Sequence, residues 1–429
     1  MYTNTLIGAA LVAAAAATAD LEFTSQGHFK IKHPAFVNVS KFDGGDDFLL
    51  VSQFSGMPMS PGHIYVVDDI TAAVTNGDVS GLQIHKLDTP NFEWPNDVSV
   101  VPSDVFAKGE NVIVVPDGFL VPGKSDGGIY LITMDPTDVT KTVETKMITA
   151  TKKGFFYHMG YWVDLNGDGR KDFITARSNA KAGEGELLWL EHPEEGLSAT
   201  EPWTEHVLGN VADVSIEVVD YPAYRNEVVV FAAEFFNEKI SMHRISTVDG
   251  TLVQSKVIDD TNILSAYNVA MVDLNNTGNY QLLVNNHEKK DDQDGIWAYE
   301  FPKDPMNDDW TRATIATGFH NAFSITVPNM APGFAYAVWP HGKTRGERAH
   351  IMVAGDGDHS AHTLYPSGDA STFDYEDSIF DDAKGTVGCL AFSDLDNDGW
   401  QEVWVPNYDK GTIELYKMGD AATPAEFLQ

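Results

Sequence analysis

One cysteine, Cys389, is all that the 429 residues contain, so no disulfide can form within the chain. Stability has to come from a large core and from anything that binds the native state alone. Cys389 lies in the apolar stretch Val387-Gly388-Cys389-Leu390-Ala391-Phe392, the setting of a buried, unreactive thiol. Basic side chains are scarce too: 28 Lys and Arg face 63 Asp and Glu, a net charge of −35. Such a chain repels phosphate backbones and anionic lipid surfaces, which argues against a nucleic-acid partner. Long apolar runs are also missing. The run from Leu6 to Ala17 is short of the roughly 20 residues of a membrane span. It ends in Ala17-Thr18-Ala19 before Asp20, the outline of a signal peptide cut after Ala19, although its first residues hold no Lys or Arg. The expectation is a leader over 1–19 and a secreted, extracellular protein with no membrane span.

What is present is a repeat. Tyr161-Trp-Val-Asp-Leu-Asn-Gly-Asp-Gly-Arg-Lys-Asp-Phe-Ile-Thr-Ala-Arg177 and Ala391-Phe-Ser-Asp-Leu-Asp-Asn-Asp-Gly-Trp-Gln-Glu-Val-Trp-Val-Pro-Asn407 share a strand, an acidic Gly-containing loop and a second strand. Ala270 to Asn286 keeps the frame with fewer charges, and Ile216 to Ala232, Phe36 to Ser52, Asn96 to Val115 and Phe323 to Ala354 keep it in outline. A third strand follows each unit, usually after Gly, as in Gly128 to Ile132, Gly185 to Trp189, Gly295 to Tyr299 and Gly411 to Leu415. Trp203 to Leu208 and Trp310 to Ile315 suggest a fourth. Asp164, Asp220 and Asp273 recur at about 55 residues, and the gap to Asp394 holds two units with one long insertion. The reading is an all-β, seven-bladed β-propeller with four-stranded antiparallel blades, one domain over 20–418, followed by a flexible tail over 419–429.

The two full loops have the chemistry of calcium sites. Calcium takes six to eight hard oxygen ligands, which short loops supply from alternate positions around a Gly turn. In the first loop these are Asp164, Asn166, Asp168, the Arg170 carbonyl and Asp172; in the second, Asp394, Asp396, Asp398, the Trp400 carbonyl and Glu402. The closing carboxylate at position nine, between strands, separates these loops from EF-hands, which close at position 12 between helices. The pattern resembles the FG-GAP or VCBS repeats known from the integrin α-subunit propeller. That resemblance implies Ca2+ and a propeller, and covers two blades fully, a third partly. In the third copy Thr277 and Gln281 replace carboxylates beside Asp273 and Asn275, and Asn275-Asn276-Thr277 is a glycosylation acceptor pattern.

Two functions fit. One is a calcium-stabilised extracellular module that binds a protein or a glycan. The other is a propeller enzyme acting on carbohydrates, a lyase or dehydratase, with a site at the central channel mouth. Residues expected to start the innermost strands are Asn38, Asn96, His158, Ser215, Asn268, His320 and Asn321, polar groups that can equally satisfy one another around a wet channel. In the enzyme reading His158 or His320 is the general base and Tyr157 the acid. A second concentration, His341, His350, His359 and His362 with Asp356 and Asp358, offers imidazole and carboxylate ligands but matches no known zinc spacing.

Overall fold

The computed structural model describes residues 21–420, apart from 58–59, 120, 122, 291 and 323–329. The expected leader and the expected strand over 323–327 lie outside these residues. The described chain forms seven four-stranded sheets, each antiparallel, arranged as a β-propeller. Blade one comprises Pro34–Lys41, Asp47–Gln53, His63–Val67 and Ile84–Lys86. Blade three comprises Phe156–Val163, Asp172–Ser178, Glu186–Glu191 and Thr204–Gly209, and blades two, four and five follow the same order.

The second strand of each blade explains the packing. Because successive side chains of a strand point to opposite faces, one strand can serve two cores. In Glu227–Glu234, Val228 and Val230 pack with Ile174, Ala176 and Trp189 of blade three, whereas Val229 and Phe231 pack with Leu282 and Val284 of blade five. The same alternation in every blade produces seven hydrophobic clusters, each shared by two neighbouring blades. Sheets covered on both faces need continuous apolar runs, which is why these strands read Phe48-Leu-Leu-Val51, Val112-Ile-Val-Val115 and Val228-Val-Val-Phe231. At about 1.5–3 kcal/mol per fully buried aliphatic side chain, these interfaces are the main stabilising element of a chain without disulfides.

Two features correct the sequence-based reading. The seventh blade is closed by the N-terminal strand Leu21–Lys30, which pairs with Thr412–Asp420 along its length. Gly419 and Asp420, expected in the tail, lie in that strand opposite Glu22 and Leu21. Among the described residues the innermost strand of blade six is Ala335–Val338, and it is this segment that pairs with His350–Ala354. The ring closes tightly where blade seven meets blade one: Cys389 N–H donates to the Ala35 carbonyl at 2.9 Å. A Cβ on Gly388 would lie 2.0 Å from that same oxygen, so only glycine fits there. A short helix, Ile70–Asn76, buries Ile70 and Val74 against the shared core of blades seven and one.

Candidate functional site

The three related hairpin loops share one structural bond. The residue at position nine reaches back to the backbone N–H of position two: Asp172 to Leu165 at 2.9 Å, Gln281 to Leu274 at 3.0 Å and Glu402 to Leu395 at 2.9 Å. The first residue of the loop gathers the turn, Asp164 accepting from Gly167 and Gly169, and Asp273 from Thr277 and Gly278.

Beyond that scaffold the loops diverge. In the blade-three loop, the second oxygen of Asp172 accepts from His192 N–H at 2.9 Å, and Asp168 is ion-paired with Arg170. Asn166 Oδ1 accepts from the Asp168 N–H. In the blade-seven loop, carboxylate oxygens of Asp394, Asp396 and Asp398 lie within 4.8 Å of one another, the only such group among the described residues. Glu402 is fully buried, and its Oε1 has no hydrogen-bond partner. Burial, reinforced by the charges of Asp396 and Asp394, pushes its carboxyl up to about 7. Trp400 N–H donates to Asp398. The ammonium of Lys417 bridges Asp396 and Asp398, 2.6 Å from the latter, and these carboxylates hold it protonated. An unpartnered buried carboxylate oxygen beside three converging carboxylates is a donor set suited to a hard cation. In the third copy, Asn275 Nδ2, the nitrogen that the Asn-Asn-Thr pattern would offer to a glycan, donates to the Ala370 carbonyl.

The central channel is the second site. Innermost strands present alternate residues to it: Tyr161 from blade three, Glu217 from blade four, Asn268 and Ala270 from blade five, Tyr336 from blade six. They enclose a cavity of about 590 Å3 that extends towards the hairpin face, where Trp339, exposed Lys343 and Gln401 lie. Tyr161 donates to Glu217 at 2.8 Å. Asn38 donates to Asp97 at 3.0 Å and to the Val98 carbonyl at 2.6 Å. Asp97 and Glu217 are open to the cavity but surrounded by protein, and desolvation raises both carboxyls. Cys389 borders the same space, its thiol pushed well above the usual range by burial.

The other side of the channel, where the innermost strands begin, is closed by aromatic rings. His158 contacts Phe36 at 5.5 Å, Phe334 at 6.1 Å and Tyr267 at 6.5 Å between ring centroids. This plug replaces the polar mouth expected from Asn38, Asn96, Ser215 and Asn268. Of those, Asn38 and Asn268 line the cavity. Asn96 is buried with its amide on the Gly118 and Tyr157 carbonyls, and buried Ser215 donates to the Met159 sulfur.

The expected acid and base do not meet. His158 is buried, its Nδ1 has no partner, and desolvation lowers it to about 4, so it is neutral at pH 7. Tyr157, its neighbour in the strand, points into the blade two–three core, where its hydroxyl accepts from Arg177 at 3.1 Å. His320 is exposed, outside the innermost strands. The second histidine group is divided as well. His362 gives both ring nitrogens to carboxylates, Asp358 at 2.5 Å and Asp377 at 3.0 Å. His350 is buried with neither nitrogen partnered, and exposed His341 pairs with Glu347.

Sequence reasoning missed Asp97 and Glu217. The available signal was a lone Glu in the apolar strand Ser215-Ile-Glu-Val-Val219, where a charge needs a reason.

These features define the class: a seven-bladed β-propeller with an acidic hairpin cluster and an acidic, aromatic-walled channel. The fold is similar to the Dos1 propeller, with a TM-score of 0.51 and 12% identity over 92% of this chain and 95% of that one. It is also similar to hydrazine synthase of Kuenenia stuttgartiensis, with a TM-score of 0.50 and 12% identity over 91% and 97%. These likenesses concern the fold alone. No protein-family model matches the sequence, and no curated protein matches it. Among the described residues, no helix is long and apolar enough to cross a membrane.

Proposed function

We propose that the chain is a secreted, calcium-binding β-propeller that acts as an extracellular binding module, with its ligand, a glycan, seated in the channel cavity. The observation that carries the binding reading is that cavity of about 590 Å3, polar on some walls and aromatic on others, on a scaffold held rigid by seven shared cores. Secretion rests on the leader pattern of the first 19 residues. The FG-GAP or VCBS resemblance rests on the loop residues.

Calcium is assigned first to the blade-seven loop. Asp394, Asp396, Asp398 and Glu402 would hold the ion, with the Trp400 carbonyl as a further oxygen ligand. Bound calcium would offset the repulsion of these carboxylates and brace the hairpin. The blade-three loop, Asp164 to Asp172, is a weaker second site, because both oxygens of its closing Asp172 already accept backbone N–H groups, whereas Glu402 keeps Oε1 free. The binding reading is favoured over the carbohydrate lyase or dehydratase because His158, Tyr157 and His320 have no shared pocket. A screen of glycans by calorimetry tests it, with the slow methyl methanethiosulfonate labelling expected of Cys389, a partly exposed thiol that burial keeps largely protonated, as the reporter of channel occupancy. A glycan that binds and slows Cys389 labelling is expected; unsaturated products formed from a polysaccharide would overturn the reading in favour of the lyase.

A further inference from the structure

The hydrogen bonds of the channel wall narrow the choice of ligand. In the inner part of the channel several of the wall's donors are spent on the wall itself. Asn38 spends both amide hydrogens on Asp97 and Val98, Tyr161 its hydroxyl hydrogen on Glu217, and Trp339 its indole N–H on the Glu347 carbonyl. Asn268 donates to the Ala335 carbonyl at 3.4 Å. Lys343 and Gln401 keep donors at the rim, but deeper in, among the described residues, the second oxygens of Asp97 and Glu217 have no protein donor, and neither carboxylate has a basic partner.

Around these acceptors stand the rings of Tyr161, Phe334, Tyr336 and Phe392. Aromatic faces and carboxylates without a counter-ion are complementary to one kind of group, a cation with several N–H donors or a polarised alkylammonium. The rim carries a built-in example, since the Lys343 ammonium lies 4.0 Å from the centroid of the Trp339 ring. The net charge of −35 draws cations towards such a channel, and low-dielectric walls concentrate that field.

We propose that the channel cavity binds a ligand carrying an organic ammonium group, an amine-bearing sugar of one or two rings. The ammonium sits between Asp97 and Glu217 and completes the charge balance that the wall leaves open. This rests on the binding-module reading and names the chemistry of its ligand.

The test is calorimetry with glucosamine, choline, glucose and glucuronate, joined to Cys389 labelling. Glucosamine is expected to bind and to slow labelling, with glucose and glucuronate weaker by roughly 10-fold or more, the size of one desolvated charge contact. Asp97→Asn and Glu217→Gln should each weaken glucosamine by a similar factor. Lys343→Met, at an exposed position, removes a competing charge and should tighten it by roughly 2- to 5-fold. Choline binding without glucosamine binding would keep the ammonium and overturn the sugar. Equal binding of glucose and glucosamine, or no effect of Lys343→Met, would overturn the ammonium while leaving a glycan-binding propeller. A glycan that binds without protecting Cys389 would remove the channel from the function altogether.

Discussion

Gln281 Oε1 accepts the backbone N–H of Leu274 at 3.0 Å, the bond that Asp172 makes with Leu165 and Glu402 with Leu395. An uncharged amide does this as well as a carboxylate, so the shared bond closes the hairpin and is not itself evidence of metal. The difference lies in the second polar atom. Gln281 Nε2 donates to the Asn279 carbonyl and Asp172 Oδ1 accepts from His192, whereas Glu402 Oε1 has no partner. Glu402→Gln therefore separates the two roles. Thermal melting in chelator should show little change from wild type, while the calcium-induced rise in Tm should disappear.

His362 is expected to behave as a buried cation. Burial opposes its charge, but Asp358 and Asp377 outweigh that and raise it from 6.5 to about 9. A group raised in the folded state stabilises fully below its unfolded value near 6.5, and the contribution is lost as pH rises through about 9. His362→Gln should cost about 3–5 kcal/mol at pH 6, the cost of leaving a buried partner unpaired, and clearly less at pH 10. Urea unfolding at the two pH values checks this.

His350 should do the reverse. Desolvation, with a smaller contribution from His341, lowers it to about 4, so the folded state holds it neutral while the unfolded chain protonates near 6.5. Wild-type stability therefore falls as pH drops from about 6.5 towards 4. His350→Phe removes that penalty, and its advantage over wild type should grow by about 2 kcal/mol between pH 7 and pH 5. A constant difference across this range would contradict the assignment.

The pairing of Leu21–Lys30 with Thr412–Asp420 makes ring closure depend on the first strand. Removing residues 1–30 would expose a strand edge and part of the blade seven–one core, including Phe29. The truncated chain should melt at least ~10 °C lower and associate at micromolar concentration, as read by calorimetry and light scattering.

Much of the ring was legible because its physics is local. The second strands announce themselves as apolar runs, since both faces are covered, and the third strands follow glycine turns. Leu21–Lys30 was not legible, because its partner lies at the far end of the chain and its exposed face dilutes the pattern. Ala335–Val338 is only four residues long and was hidden by an insertion, which displaced the expected strand to Phe323. The channel failed for a different reason. Polar residues near strand starts suggested a wet mouth, but Phe36, Tyr267 and Phe334 converge from three blades to plug it, a meeting no linear pattern records. Asp394, Asp396 and Asp398 could be read because one loop contains them; Asp97 and Glu217 come from different blades.

Calcium titration by calorimetry of chelator-treated protein tests the central claim most directly. Wild type should show one dominant site, abolished by Glu402→Gln, tightened by Lys417→Met and retained in Asp172→Asn. Absence of calcium binding, or a dominant site that survives Glu402→Gln and is lost in Asp172→Asn, would contradict it.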